Sequence, residues 1–91
     1  MIIQWLPMAQ AMRFEQLEYI ALVNPLAAIE QDGEIERQVA MLLDHPKMGR
    51  PGRVRGTREL VISHTPFIVV YQAKPSRVEV IRFLHSSQQW P

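Results

Sequence analysis

The sequence predicts an α+β fold in the order β-α-α-β-β-β, with a helical hairpin packed on a small antiparallel sheet. Three observations predict it: helical spacing over residues 8–43, the dipeptide Asn24-Pro25 that divides this region, and three β-rich runs separated by turn residues. The chain has 91 residues, of which 47% are hydrophobic and 21% charged. This size and balance are typical of one globular domain, so residues 1–91 are predicted to form a single domain.

The first elements are a short strand and a helix. The strand is predicted over residues 2–6, where Pro7 ends it, and Trp5 is expected in the core. The helix is predicted over residues 8–23. Its apolar positions recur at helical spacing and are expected to face the core: Met12, Phe14, Leu17, Tyr19, Ala21 and Val23. Glu15 and Glu18 are expected in water.

A second helix is predicted over residues 25–43. Asn24 can accept the free N–H groups of a helix start, and proline is preset for the first helical position. The positions with helical spacing are Ala28, Ile35, Val39 and Leu42. Gly33 costs about 1 kcal/mol relative to alanine and leaves room for a kink or a break in the helix.

The three remaining strands are predicted over residues 58–63, 67–73 and 78–84, joined by short turns into an antiparallel meander. The run FIVVY, residues 67–71, is apolar on both faces. The helices would cover one face, and the C-terminal tail or a partner the other. Strict alternation in the last strand places two sets on opposite faces: Val78, Val80, Arg82 and Leu84 against Glu79, Ile81, Phe83 and His85.

Charge is divided unevenly along the chain. Residues 1–46 contain two basic and seven acidic residues, a balance of −5, whereas residues 47–91 contain eight basic and two acidic residues, a balance of +6. The stretch GRPGRVRGTRELVI, residues 49–62, contributes four of the arginines: Arg50, Arg53, Arg55 and Arg58. Either this half faces an anionic partner, or the two halves attract each other.

The arginines are also candidates for a ribonuclease site. The Gly/Pro/Arg segment between the second helix and residue 58 is predicted to be a loop. If this loop, Arg58 and Arg82 met near His85 at one end of the sheet, arginine would bind phosphate and histidine would move a proton, without a metal. The alternative for His85 is a strand-end residue bonded to backbone. Trp90 would either stack on a base or pack back over the sheet.

Other classes of site have little support. The chain has no cysteine and three widely spaced histidines, so no metal site is expected. Its glycines match no nucleotide-binding motif, and no cofactor is expected. The absence of cysteine fits a reducing cytoplasm, and neither a signal peptide nor an apolar run of about 18 residues is present, so no membrane partner is expected.

Four stretches together resemble the RelE/ParE superfamily, the toxins of bacterial type II toxin–antitoxin and plasmid-stabilisation modules. They are LEYIALVNPLAA (17–28), HPKMGRPGRVRGTREL (45–60), FIVVYQ (67–72) and VEVIRFLHSSQQWP (78–91). The resemblance implies the fold predicted above, a place in the bacterial cytoplasm and a cognate antitoxin as partner in a toxin–antitoxin hetero-oligomer. A helix or strand of the antitoxin would cover the second face of the sheet.

The superfamily contains two kinds of toxin. For a RelE-like ribosome-dependent mRNA endoribonuclease, the resemblance makes Arg58, His85 and Arg82 the catalytic residues, with the ribosome and mRNA as partners. However, Ile68 stands where many active members carry a second arginine, and Trp90 is no clear match for a terminal acid or base. The GTREL and FLH stretches look more like ParE toxins. The main expectation is therefore a ParE-like block of DNA gyrase, with Arg50, Arg53, Arg55 and Trp90 as target contacts.

Overall fold

A computed structural model describes residues 1–91 and confirms the α+β architecture. The elements in chain order are β1 Ile2–Trp5, α1 Pro7–Val23, α2 Pro25–Ala40, β2 Arg50–Pro51, β3 Arg58–Val61, β4 Phe67–Ala73 and β5 Arg77–His85. A single 3-10 turn, Met41–Leu43, follows α2 directly. Neither helix has the length and hydropathy needed to cross a bilayer.

The five strands form one mixed sheet in the order β1-β5-β4-β3-β2. Strands β3, β4 and β5 are the predicted antiparallel meander. The sheet is not antiparallel throughout, because β1 lies parallel to β5, with Ile3 opposite Val78 and Trp5 opposite Val80. Strand β2 pairs antiparallel with β3 over two residues, where the sequence predicts only a loop. The sequence around β1 does not indicate its pairing, because its partner β5 lies far along the chain. Strand β2 has only two residues, which is too short to show the alternation of side chains that predicts a strand.

The hairpin is divided where the sequence predicts. The Asn24 side chain accepts a hydrogen bond from the Ala27 N–H at 3.1 Å, and Pro25 begins α2. The helix is continuous through Gly33, so it does not break there. A Cβ atom at Gly33 would meet no atom within 4 Å, which means that no packing constraint requires glycine there.

The main core lies between the helices and one face of the sheet. It contains Ala9, Ile35, Val39, Leu42, Leu60, Ile62, Phe67, Val69, Tyr71, Val78, Val80 and Phe83. Trp5, Met12, Leu17 and Ile20 pack against it partly buried. Phe14, Tyr19 and Val23 are 67%, 71% and 83% exposed, so their predicted place in the core is wrong. Helix α1 is apolar around much of its circumference, and spacing alone does not show which side faces inward.

A β-bulge breaks the alternation of β5. Val70 pairs with Arg82, but the next residue, Tyr71, pairs with Val80, which leaves Ile81 as the extra residue. Val80 and Phe83 consequently both belong to the main core. The prediction that Val78 and Val80 share a face with Arg82 and Leu84 is wrong, because one inserted residue reverses every side chain beyond it.

The second face of the sheet carries a smaller apolar cluster. Ile68, Val70 and Leu84 are buried there, and Trp90 from the C-terminal tail packs against them. The sequence predicts that either the C-terminal tail or a partner covers this face, and the tail does so through Trp90. Its indole Nε1 is buried without a hydrogen-bond partner.

A buried arginine joins the two helices to strand β1 of the sheet. The Arg13 guanidinium donates to Asp32 Oδ1 at 2.5 Å and lies 2.9 Å from Glu36 Oε1. It also stacks 4.6 Å from the centre of the Trp5 ring. Arg13 is on α1, the two acids are on α2 and Trp5 is on β1, so this one side chain links both helices to the first strand.

Candidate functional site: the arginine loop

The arginine loop, residues 49–58, is attached to the sheet by Tyr71. The Tyr71 hydroxyl donates to the Pro46 carbonyl oxygen at 2.7 Å and accepts from the Gly49 N–H at 2.9 Å. A Cβ atom at Gly49 would lie 2.7 Å from that hydroxyl, so only glycine allows this approach. Burial raises the pKa of Tyr71, and the hydrogen bond from Gly49 and the charge of Arg58 only partly oppose it. The phenol is therefore a protonated donor at neutral pH.

Glu59 is the centre of the site, and it is only 2% exposed. Its two carboxylate oxygens accept from the Arg50 guanidinium at 3.0 Å and from the Arg53 backbone N–H at 3.1 Å. The Arg53 Nε atom lies 3.4 Å away. Strand β2 places Arg50 directly opposite Glu59, which explains the first contact.

The charge of Glu59 follows from these contacts. Burial by itself would raise the pKa of the Glu59 carboxyl, but the hydrogen bonds from Arg53 and Arg50 and the charges of both arginines outweigh it and lower the pKa below the ordinary 4.5. Glu59 is thus ionised at neutral pH and holds the loop by two of its arginines.

The other two arginines of the loop differ in their freedom. The Arg58 guanidinium donates to the Gly49 carbonyl oxygen at 2.9 Å and to that of Lys47 at 3.4 Å, so it closes the loop onto β3. Arg55 is exposed and has no ion pair, beside a turn where Gly56 has a φ of 86°. Arg50 and Arg53 keep 54% and 41% of their side chains exposed. The loop therefore presents one free guanidinium and two shared ones to solvent.

His85 lies at the other end of the sheet from Arg58. Along β4, His85 pairs with Phe67 and Arg58 pairs with Tyr71, four positions away. At about 3.3 Å per residue this corresponds to roughly 13 Å. The His85 Nδ1 accepts from the Ser87 N–H at 3.2 Å, and the Ser87 hydroxyl lies 2.8 Å from it. The expectation that the arginines gather near His85 is wrong, because it needs a register that β3, β4 and β5 do not have.

Arg82 and Trp90 lie on the second face of the sheet. The Arg82 guanidinium is 5.1 Å from the centre of the Trp90 ring and donates to the Ile81 carbonyl oxygen at 2.7 Å. Arg58 and Arg82 point to opposite faces, since the partner of Arg58, Tyr71, lies in the main core and the partner of Arg82, Val70, lies in the second cluster. The three residues considered for catalysis are therefore in three separate places.

Two residues that organise the site were not among the predicted ones. The sequence predicts Tyr71 only as part of an apolar strand, and nothing in FIVVY shows that its hydroxyl reaches back to residues 46 and 49. Glu59 had a detectable signal, because it directly follows the four arginines and is the only acid in the stretch 49–62. No group of three or more histidine, cysteine or acidic side chains is arranged to hold a metal ion.

Comparison with known proteins identifies the family. The family model described as "ParE toxin of type II toxin-antitoxin system, parDE" matches residues 3–90. The chain belongs to the ParE toxin family. This ParE toxin is 40% identical over 73 residues to "Putative toxin Y4kP" of Sinorhizobium fredii (strain NBRC 101917 / NGR234), which covers 80% of this chain and 75% of that protein.

A solved structure agrees with the fold of this ParE toxin. It is titled "Chromosomal ParDE TA system from P. aeruginosa" and matches with a TM-score of 0.83 at 24% identity, over 93% of this chain and 95% of that chain. The expected membership of the RelE/ParE superfamily is confirmed, and the ParE branch is favoured over the RelE branch. A toxin–antitoxin system implies an antitoxin as partner.

Proposed function

We propose that this ParE toxin inhibits growth in the bacterial cytoplasm by blocking DNA gyrase, through binding and without catalysis of its own. The observation that carries the proposal is the separation of Arg58, His85 and Arg82. A metal-free ribonuclease needs a base, an acid and a cationic stabiliser within hydrogen-bond reach of one scissile phosphate. Arg58 and His85 are four positions apart along β4, and Arg82 is on the other face.

The state of Arg58 also supports binding over cleavage. Its guanidinium is bonded to the Gly49 carbonyl oxygen, so it would have to leave the loop before it could stabilise a phosphate in its transition state. At Ile68 a buried apolar side chain occupies the position where a second arginine would be needed. The RelE-like alternative therefore lacks the charge that its chemistry requires.

The arginine loop suits an acidic protein surface or gyrase-bound DNA. Arginine forks pair with carboxylate and phosphate groups in fixed geometry. Because Glu59 and Tyr71 hold the loop in place, less chain entropy is lost when a partner binds. Arg50, Arg53 and Arg55 are the proposed target contacts, with Arg55 as the free one. Trp90, which is partly exposed, is proposed as a fourth contact.

The decisive experiment combines a cell assay with an enzyme assay. After brief induction in bacteria, DNA and protein synthesis are followed separately, and purified toxin is added to a gyrase supercoiling reaction. We expect DNA synthesis to stop first and supercoiling to be inhibited. If protein synthesis stops first and supercoiling is unaffected, the RelE-like endoribonuclease is correct and the gyrase proposal fails.

Single variants then test the loop. Arg55→Glu should weaken gyrase inhibition roughly tenfold, the size expected for one good charged contact at an interface. Arg55 has no partner in the toxin, so its replacement leaves no buried charge behind. Lys74→Glu, which makes the same charge change in the turn before β5, is the matched control and should inhibit like the wild type. Equal loss in both variants would remove the loop from the proposal.

A further inference from the structure

The tip of the arginine loop is a closed turn. The Gly52 N–H donates to the Thr57 carbonyl oxygen at 2.8 Å, and the Thr57 N–H donates to the Val54 carbonyl oxygen at 3.1 Å. The Thr57 hydroxyl donates to the same Val54 oxygen at 2.6 Å. A Cβ atom at Gly52 would lie 2.1 Å from Thr57 Oγ1, so the two ends of the turn are in direct contact. Residues 53–56 are therefore held in one shape before any partner arrives.

The loop has many hydrogen-bond donors that the protein itself does not use. Arg50 and Arg53 each direct one guanidinium nitrogen at Glu59, Nη2 of Arg50 at 3.0 Å and Nε of Arg53 at 3.4 Å. Their other guanidinium nitrogens have no acceptor in the protein. The Arg55 side chain has no ion pair, and the backbone N–H groups of Arg55 and Gly56 have no acceptor. Both residues are exposed, so these donors are open to an anion from solvent.

The charge around the loop has one sign. Residues 45–76, which contain β2, β3 and β4, include six basic residues and one acidic residue, a balance of +5. The one acid is Glu59, and only 1% of its side chain is exposed. Its negative charge is therefore covered by Arg50 and Arg53, and the potential outside the loop is positive.

The side chains of the loop favour a nucleic-acid backbone over an acidic protein surface. Stable protein interfaces place aromatic or other apolar side chains at their centre. Residues 49–58 include no aromatic residue, and Val54, their one large aliphatic side chain, is only partly exposed. In protein–DNA complexes, about half to two-thirds of the hydrogen bonds go to phosphate and sugar, from groups that include arginine and backbone N–H. These are the groups that the loop exposes.

The same composition favours duplex DNA over single-stranded RNA. Proteins that bind single strands stack the bases on aromatic side chains. The aromatic residues nearest to the loop in the fold do not serve this purpose, because Tyr71 is buried beneath it and Trp90 packs on the second face of the sheet. The loop can contact a backbone but offers no surface on which a base would stack.

We propose that the arginine loop binds the phosphate backbone of duplex DNA. Arg50, Arg53 and Arg55 donate to phosphate oxygens, and the N–H groups of the turn add uncharged donors. Contacts of this kind read no base sequence and are weak alone, with a Kd of about 10⁻⁴–10⁻⁶ M at physiological salt. The inference rests on the proposed function in one respect: gyrase holds the DNA that the loop contacts in the cell, and binding to gyrase raises the effective concentration of that DNA.

The test titrates a short fluorescent DNA duplex with the purified toxin and follows anisotropy at several salt concentrations, without gyrase. Three phosphate contacts predict a slope of about −2.7 for the logarithm of the association constant against the logarithm of the salt concentration. The affinity should therefore fall roughly 40-fold between about 50 and about 200 mM salt. A duplex of the same length and scrambled sequence should bind equally well. No binding at about 50 mM salt would overturn the proposal.

Arg55→Gln tests the loop without disturbing the fold, because Arg55 has no partner in the toxin, whereas replacement of Arg50 or Arg53 would leave Glu59 buried with less compensation. We expect about tenfold weaker binding at about 50 mM salt and a slope of about −1.8. Circular dichroism verifies the fold.

Arg37→Gln is the matched control. It removes the same charge from the exposed side of α2, where Arg37 forms only a surface ion pair with Glu34. It should bind within about twofold of the wild type and keep its slope. Equal losses in the two arginine variants would show that net charge, rather than the loop, binds DNA, and the proposal would be wrong.

Competition identifies the partner. Unlabelled duplex should displace the fluorescent duplex better than single-stranded RNA or polyglutamate at the same concentration of charge. A better result with RNA would make the loop a single-strand site, and a better result with polyglutamate would make it a site for an acidic protein; either overturns the proposal. A toxin that binds DNA through Arg55 but never inhibits gyrase would refute the proposed target only. A toxin that inhibits gyrase but binds no DNA would refute the DNA contact only.

Discussion

Replacement of Glu59 by glutamine should destabilise the toxin through the arginine loop. Glutamine has nearly the same shape but no charge, so Arg50 and the Arg53 N–H lose the ionised acceptor that they share at 3.0 and 3.1 Å. A hydrogen bond to a charged group contributes about 1.5–3 kcal/mol. The Arg50 side chain is 54% exposed, so solvent screens its share. We expect a loss of about 2 kcal/mol in the free energy of unfolding, most of it from the Arg53 N–H.

The assay is thermal unfolding followed by circular dichroism. For a domain of this size, about 2 kcal/mol corresponds to a fall in Tm of roughly 8–16 °C. Glu30→Gln makes the same chemical change at an exposed position without an ion pair and should leave Tm nearly unchanged.

The pH dependence gives an independent test of the same reasoning. The pKa of Glu59 is lower in the folded protein than the ordinary 4.5 of the unfolded chain. Its ionisation therefore stabilises the fold fully above pH 4.5, and this stabilisation is lost as the pH falls through the folded pKa. The difference in stability between wild type and Glu59→Gln should be constant from neutral pH down to about 4.5 and should shrink as the pH falls from there through the folded pKa. A Tm equal to that of the wild type, or a difference that does not change in acid, would refute the role given to Glu59.

Three other changes test the second helix, the attachment of the arginine loop and the C-terminal tail. Gly33→Ala should raise the free energy of unfolding by about 0.5–1 kcal/mol in urea denaturation, because the helix gains propensity and the added Cβ meets no atom; a loss would mean that this position is strained. Tyr71→Phe should cost about 1–3 kcal/mol and speed hydrogen exchange at Gly49, since the hydroxyl serves two backbone groups; unchanged exchange would show that the loop is held elsewhere. Trp90→Ala should increase binding of a hydrophobic dye, because it uncovers Ile68, Val70 and Leu84; dye binding equal to the wild type would place the tail away from the sheet.

The parts of the fold that local chemistry determines were predictable from the sequence. Asn24-Pro25 divides the hairpin because the Asn24 side chain caps the start of α2 and the Pro25 ring suits the first helical position. The meander follows from strand runs separated by short turns. The pairing of β1 with β5 was not predictable in this way, because the two strands are about 70 residues apart and no short turn links them.

The site was harder to predict for a different reason. Arg58 and His85 were expected together because register was not known, and one bulge between Val80 and Arg82 changes which side chains share a face. Charge counting placed Arg50 and Arg53 at a surface, but it could not show that Glu59 beneath them is buried and ionised. Spacing also identified the apolar positions of α1 without distinguishing the core side from the exposed side that contains Phe14.

Strand β1 has no partner in the sheet until the last strand of the toxin has been synthesised. Strand β1 is synthesised first, yet its hydrogen-bond partner is β5, residues 77–85. At bacterial rates of about 5–20 residues per second, roughly 4–16 s pass between the translation of the two strands. During that time β1 has no partner in the sheet, and the core between the hairpin and β5 is incomplete. A chain interrupted before residue 77 cannot close its sheet, so a ribosome that stalls early releases a fragment without the toxin's structure.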